Sequence, residues 1–331
     1  MIKHQFKKIS ALLAAAVALS FGGCTFFIES QPQEQGLVDI NPTEQDTQRE
    51  ARTTTLYFRY EREELLAGIS ININVPSNKQ YDEVVLRSLI NGPGLNPPEF
   101  VPVINPETQV LSVTSNSDLL FITFSPEFFH PMPDIPSNWQ EDPIWVEEVQ
   151  LQRRLAVWSV VNTMTSIGKY TRVQILIDDG NSIGAHRISR AAAGFSGDGR
   201  DDELLEELAR SPEVLMTAAN SAQLAFRAIT IKDWKRLYSL IAPVGADGNE
   251  RPSEEDFIKD MQSFTGIVEY YAIHGESVSP DGVSIIVNAD ISTQDRNGRV
   301  FERQDIPLKM IQDNGIWKIE YPSVSLLLFE V

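Results

Sequence analysis

Hydrophobic and polar positions between residues 53 and 182 predict a first folded segment. Residues 69–75 alternate between apolar and polar, which is typical of a strand with one buried face. Apolar residues at helical spacing predict helices over 81–91, where Gly92 and Pro93 follow, and over 144–167. Further strands are predicted over 54–60, 108–113, 119–124 and 172–178. This order predicts helices layered on one sheet.

A second segment, residues 212–331, begins with helical patterns and ends with strand patterns. Helices are predicted after Pro212, around Trp234, and after Ser253, which has a capping-box spacing to Asp256. Strands follow over 267–277, 282–293, 299–311 and 316–321, with two-residue hairpin turns predicted at 297–298 and 314–315. The fold class is therefore predicted to be α+β, with two domains that each consist of a mixed or antiparallel sheet packed by helices.

The stretch between these segments, residues 183–211, is predicted to be a linker. Residues 194–202 are rich in glycine and aspartate, which favours a flexible, acidic connection. A charged helix over 202–210 is expected to lead into the second domain.

The first 24 residues form a distinct segment. Lys3, Lys7 and Lys8 precede an apolar run over 9–21, which is too short to span a bilayer as a helix, and two glycines and Cys24 follow. Residues 1–23 therefore resemble a bacterial lipoprotein signal peptide. Phe21 stands where such signals usually have leucine, which is a mild departure.

Cys24 is the only cysteine of the chain, so no intramolecular disulfide can form. We expect cleavage before Cys24 and attachment of acyl chains such as palmitate, because two or three chains anchor a protein stably where one does not. The expected location is the extracytoplasmic face of the cell membrane. The alternative is an ordinary secretory signal followed by an incidental cysteine.

Residues 24–52 are predicted to be a disordered tether. Five glutamines, two prolines and six acids over 25–52 leave little apolar surface to bury. The whole chain has a net charge of −18, which disfavours binding to nucleic acid because phosphate backbones repel acidic surfaces.

Four stretches between residues 53 and 180 stand out: Leu56-Tyr57-Phe58, residues 85–93 ending in Gly92-Pro93, residues 103–106, and residues 161–165 leading into 173–178. In these stretches, residues 53–180 resemble the GerMN domain, the sporulation and spore-germination module of bacterial envelope lipoproteins. Residues 105–108 (Asn-Pro-Glu-Thr) depart from the "Pro-x-Gly-Thr" turn that family members often have. The resemblance implies a non-catalytic domain with a role in sporulation or germination.

Residues 212–325 begin with three predicted helices and close with the motif at residues 312–319. In these features they resemble the nuclear-transport-factor-like fold, a cystatin-like cone. The fold hosts enzymes, immunity proteins and interaction domains, so the resemblance implies a cone-shaped sheet and no particular chemistry.

Residue types that perform chemistry are sparse. His130, His186 and His274 are far apart in sequence, so neither a metal site nor a cofactor is expected. The best pocket candidates lie in the predicted cone: Trp234, Tyr238, Tyr270, His274 and Asp290. Alternation places Tyr270 and His274 on one face of a strand. The alternative is that the aromatic residues are core and that His274 lies at an edge or on the surface.

A loop rich in proline and aromatic residues is the candidate partner surface. It includes Phe128, Phe129, Trp139 and Trp145, and exposed aromatic side chains commonly anchor interfaces. They could instead fold back onto their own sheet.

The sequence therefore predicts a membrane-anchored envelope lipoprotein that acts as a non-enzymatic binding or scaffold module. Its expected partners are the membrane, through the lipid anchor, and other exported envelope proteins during sporulation or germination. Two alternatives are an enzyme or small-ligand-binding protein that uses the cone pocket, and a solute- or peptidoglycan-binding lipoprotein.

Overall fold

The structure, a computed structural model, describes residues 50–94, 98–181, 183–197, 199–281 and 283–329. The predicted signal peptide, Cys24 and nearly all of the predicted tether lie outside these residues. Within the described part of the chain, no helix combines the length and the apolar character needed to cross a membrane.

The first sheet is built on a long antiparallel hairpin. Strand β1 (Glu50–Tyr60) pairs with β2 (Leu66–Val75) on one side and with the short β3 (Phe100–Val101) on the other. Strand β1 begins at Glu50, so the last residues assigned to the tether are strand. Residues 50–52 are strand because they pair with residues 73–75 of β2. Further along β1, the side chains of Leu56, Phe58 and Tyr60 are buried in the core.

A second sheet in the N-terminal half has the order β4-β5-β6-β7. Its strands are β4 (Val110–Asn116), β5 (Leu119–Phe124), β6 (Arg172–Ile177) and β7 (Leu208–Ala209). Strands β5 and β6 are parallel, as expected for strands joined through a long helix. The prediction of one sheet is thus wrong, because β1, β2 and β3 form a separate sheet.

The two helices predicted for the N-terminal half are confirmed. Helix α1 (Tyr81–Ile90) ends before Gly92, and helix α2 (Pro143–Ser166) begins with a proline in its first turn. Helix α2 packs against both β1 and β6. Ser159 of α2 donates a hydrogen bond to the carbonyl oxygen of Tyr57 at 2.6 Å, and Thr163 accepts from the Tyr57 N–H at 3.2 Å.

The stretch predicted to be a flexible linker is packed onto α2. Phe195 contacts the ring of Trp158 with a centroid distance of 5.8 Å, and Leu205 is buried. The expected helix over 202–210 does not form. Leu208 pairs instead with Val173 at the edge of the second sheet, so tertiary pairing overrides the charged helical pattern.

The C-terminal half has the helices-then-strands order that the sequence predicts. Helices α3 (Ala218–Ile231), α4 (Trp234–Ser239) and α5 (Glu254–Met261) precede a four-stranded antiparallel sheet of order β11-β10-β9-β8. The strands are β8 (Ile267–Val278), β9 (Ser284–Gln294), β10 (Val300–Asp313) and β11 (Ile316–Ile319). The Ser253 hydroxyl caps α5 by accepting the Asp256 N–H at 3.2 Å.

The two hairpin turns differ from each other. Asn314 and Gly315 both have positive φ, at 50° and 86°, which confirms the two-residue turn. At 297–298 the prediction is wrong, because the loop is longer: the Asp295 N–H bonds to the Arg299 carbonyl, and the Asp295 carboxylate accepts the Asn297 and Arg299 N–H groups.

A last helix, α6 (Tyr321–Phe329), was not predicted. Its sequence is almost wholly apolar, a pattern that a buried strand shares with a buried helix. Arg303 of β10 donates to the Leu326 carbonyl at 2.8 Å. It thereby satisfies one of the carbonyl groups in the last turn of α6 that have no partner within the helix.

The two halves share one continuous hydrophobic core. The Met216 N–H bonds to the Leu66 carbonyl at 2.8 Å, and Arg236 of α4 forms a salt bridge with Glu63 in the β1–β2 turn. These contacts place the hairpin β1–β2 at the junction of the halves.

Candidate functional site

A groove of about 1310 Å³ lies beside the first turns of α2, and we call it the α2 groove. Four other segments border it: the β1–β2 turn, strand β3 with its flanking residues, the loop over residues 132–135, and Gly194 and Ser196 of the stretch that follows β6. Such a volume exceeds that of a usual small-molecule pocket and suits a peptide segment or a protein surface.

The first turn of α2 positions two apolar side chains of the groove, Ile144 and Trp145. Asp142 caps the helix by accepting the Ile144 N–H at 3.0 Å, and Pro143 pre-organises the first turn. Ile144 is 75% exposed, and Trp145 beside it is half-buried. An isoleucine so exposed next to a tryptophan is an apolar surface without a cover among the described residues.

Charges around the groove are mainly acidic. Its lining acids are Glu61, Glu64, Asp134, Glu147 and Glu148, against the cations Arg59, Arg62 and Arg154. Arg59 is held by Glu148 and by the Glu63 carbonyl, to which its Nε donates at 2.8 Å. The groove therefore presents apolar side chains within an acidic rim.

The aromatic residues predicted as a partner surface have different positions. Phe128 is fully buried and stacks on Phe124 with a centroid distance of 4.4 Å, so its assignment to an exposed surface is wrong. Phe129 packs edge-on against Phe128 at 4.8 Å. Trp139 lies under the Arg153 guanidinium at 5.8 Å. Trp145 is the one of the four that lines the α2 groove.

Two of the predicted cone residues are packing residues. Trp234 is buried and contacts Phe264 edge-on at 6.3 Å. The Tyr238 hydroxyl donates to the Pro252 carbonyl at 2.9 Å, and the Arg251 guanidinium covers its ring at 3.8 Å. Neither residue lines the α2 groove.

The other three lie on a more open part of the sheet. Tyr270 is 60% exposed, and His274 Nε2 is 2.7 Å from Asp290 Oδ2. Hydrogen bonds from the Asp305 N–H and from His274 lower the pKa of the Asp290 carboxyl below its usual value. The structure thus joins His274 to Asp290 but does not bring them to Trp234 or Tyr238, because Tyr271, which stacks on Phe226, takes the helix-facing position on β8.

The sequence pattern did not identify Ile144 as a surface residue. It is an apolar residue of α2 like many others, and the sequence alone does not show that its side chain is left exposed. Among the described residues, no group of three or more His, Cys, Asp or Glu side chains is placed to hold a metal ion.

The N-terminal half of the chain matches one known family. Residues 55–182 match the family model described as "Germane: Sporulation and spore germination". No protein among those with curated descriptions matches the chain.

Several solved structures are similar. The tandem GerMN domains of the sporulation protein GerM from Bacillus subtilis match at 14% identity over 55% of this chain and 51% of that one, with a TM-score of 0.33. The chain thus spans about half the length of that structure. The first GerMN domain of the same protein matches at 21% identity over 42% of this chain and 94% of that one, with a TM-score of 0.24. A ketosteroid isomerase from Mycobacterium sp. matches at 13% identity over 31% and 89%, with a TM-score of 0.25.

Proposed function

We propose that this chain, which carries a Germane domain at residues 55–182, is a membrane-anchored envelope lipoprotein that binds other exported proteins during sporulation or spore germination. The family description supports the sporulation-related role. The observation that carries the binding role is the α2 groove, with Ile144 exposed beside Trp145.

The physical argument starts from the cost of exposed apolar surface. Covering Ile144 and the open side of Trp145 with a partner would remove apolar area from water, at roughly 25 cal/mol per Å². Aromatic side chains at the centre of a patch contribute most to such interfaces. The acidic rim favours a partner segment that carries lysine or arginine next to an apolar residue.

Anchoring rests on the lipoprotein signal pattern before Cys24. Each buried methylene contributes about 0.8 kcal/mol, so diacylation would hold the protein on the membrane. Mass spectrometry of the mature N-terminus should find an acylated cysteine, and Cys24→Ala should release the protein from the membrane fraction. An intact signal segment with an unmodified thiol would contradict the anchor.

A non-enzymatic role fits the positions of the candidate chemical groups. His274 and Asp290 pair with each other on the C-terminal sheet and do not line the α2 groove. We therefore infer that the groove acts by contact and not by catalysis.

In-cell crosslinking tests the binding role. Wild type, Ile144→Ser and Ile183→Ser would be crosslinked in vegetative and sporulating cells of the native host, and heat-resistant spores would be counted. Ile183 is 81% exposed and does not line the groove, so it is a matched control. We expect Ile144→Ser alone to reduce the crosslinked product and the spore count. Equal behaviour of both variants, or no reproducible product, would overturn the proposal.

A further inference from the structure

We propose that a second concavity, between β2 and the β10–β11 hairpin, binds a small hydroxyl-rich ligand through an oxyanion, carboxylate or phosphate, held by Arg210. This cleft, which we call the Arg210 cleft, has a volume of about 650 Å³. That is the size range of metabolite-binding pockets. The inference is independent of the partner-binding role of the α2 groove.

The charge of the lining is the first argument. Arg210 is the cation of the cleft, and none of the described residues that line it is an aspartate or a glutamate. The chain has 46 acids against 28 lysines and arginines, so an acid-free concavity around an arginine has a charge opposite to that of the chain as a whole. Such a site attracts an anion even though the whole protein is acidic, because nearby charges act more strongly than distant, screened ones.

The second argument is that Arg210 is already positioned. Its Nη2 donates to the Tyr57 hydroxyl at 2.6 Å, and its guanidinium lies 5.6 Å from the centre of the Tyr57 ring. Tyr57 is itself buried, and its backbone is bonded on both sides to α2 through Ser159 and Thr163. The orientation of the arginine is therefore set before a ligand binds, which lowers the entropy cost of binding.

The third argument concerns the free donors of Arg210. Burial raises the pKa of Tyr57, so the phenol stays neutral and leaves the arginine charge uncompensated. No carboxylate of a described residue lies within ion-pair distance of Arg210. A guanidinium has five N–H donors, and the phenol accepts from one of them. A pair of N–H groups therefore remains to bind two oxygens of an oxyanion.

The remaining walls suit hydroxyl groups. Thr55, Ser70 and Gln312 contribute hydroxyl and amide groups, and the half-buried Trp317 contributes an indole. A sugar acid or a sugar phosphate combines the required oxyanion with several hydroxyls. The geometry thus points to that ligand class.

Titration calorimetry on the full-length chain in detergent micelles tests this. The probes are glucuronate, glucose 6-phosphate and neutral glucose, and the relative affinity of the first two distinguishes carboxylate from phosphate. We expect at least one anion to bind with a dissociation constant below about 10 mM, and glucose to bind at least about tenfold more weakly. Absence of binding by both anions, or equal binding of glucose, would overturn the proposal.

Variants localise the binding. Arg210→Gln should weaken binding of the anion at least about tenfold, whereas Arg227→Gln, an exposed arginine of α3 outside the cleft, should not. Ser70→Asp at the exposed rim should weaken it in the same way, and this variant serves if Arg210→Gln loses its fold. An indole N–H resonance that is absent from Trp317→Phe should shift with the anion. Undiminished binding by both cleft variants would place the anion elsewhere and overturn the assignment.

Discussion

Gly315, in the turn of the last hairpin, lies directly against the carbonyl oxygen of Gly68 in strand β2. A β-carbon at Gly315 would overlap that oxygen, and the backbone there has a φ of +86°, which disfavours any other residue. The C-terminal hairpin is therefore docked on the N-terminal half at a point where only glycine fits. The same contact forms one end of the Arg210 cleft.

Gly315→Ala should therefore lower the free energy of unfolding by about 2–4 kcal/mol, measured by urea denaturation, because it combines backbone strain with an overlap. The matched control is Gly298→Ala, in the preceding hairpin. Gly298 has a φ of +78°, but apart from its chain neighbours no described residue has an atom within 4 Å of the position that a β-carbon would take. We therefore expect a cost of about 1–2 kcal/mol from strain alone. Equal costs for the two variants would contradict the docking contact.

The salt bridge between Glu63 and Arg236 is a second link between the halves. Glu63 is 8% exposed, whereas its neighbour Glu64 has a side chain that is 72% exposed and lies 3.7 Å from Arg154. Glu63→Gln should destabilise the protein by about 2–3 kcal/mol, because it leaves the Arg236 charge partly buried without its partner. Glu64→Gln should change stability by less than about 0.5 kcal/mol. Thermal unfolding of both variants checks this, and a reversed order would rule it out.

Burial distinguishes Phe128 from Trp145, two aromatic residues that the sequence analysis assigned to the same candidate partner surface. Phe128→Ala should cost about 3–5 kcal/mol, because it empties a fully buried site stacked on Phe124. Trp145→Ala should cost less, since its side chain is half-buried at the groove. Denaturant midpoints measure both. A smaller loss for Phe128→Ala than for Trp145→Ala would refute the assignment of Phe128 to the core.

Local signals explain which elements could be predicted from the sequence. The start of α5 depends on the Ser253 cap, the end of α1 on Gly92-Pro93, and one hairpin on Asn314-Gly315, and each signal acts within a few residues. The separation into two sheets and the packing of 183–211 on α2 depend on partners distant in sequence, such as Leu208 with Val173. No local pattern encodes such pairs.

The candidate sites, too, depend on contacts between residues that are distant in sequence. Aromatic residues among prolines indicated the region of the α2 groove, but only the packing of the loop separates Trp145 from Phe128. The Arg210 cleft depends on a bond between Arg210 and Tyr57, which are 153 residues apart. No local pattern within a single sequence links two residues so far apart.

Acid should destabilise the C-terminal sheet through Asp281. Its carboxylate accepts the Ser284 hydroxyl at 2.6 Å and the N–H groups of Ser284 and Val283 at 2.9 Å, and these bonds hold the pKa of Asp281 well below its usual value. Because folding favours the ionised form, this contribution is complete above the unfolded-state pKa of about 3.9 and is lost as the pH falls further. Asp281→Asn should therefore flatten the fall in unfolding free energy between about pH 4 and pH 2, measured by urea denaturation at each pH. An equally steep fall in this variant and in wild type would show that the carboxylate at residue 281 contributes nothing to acid sensitivity.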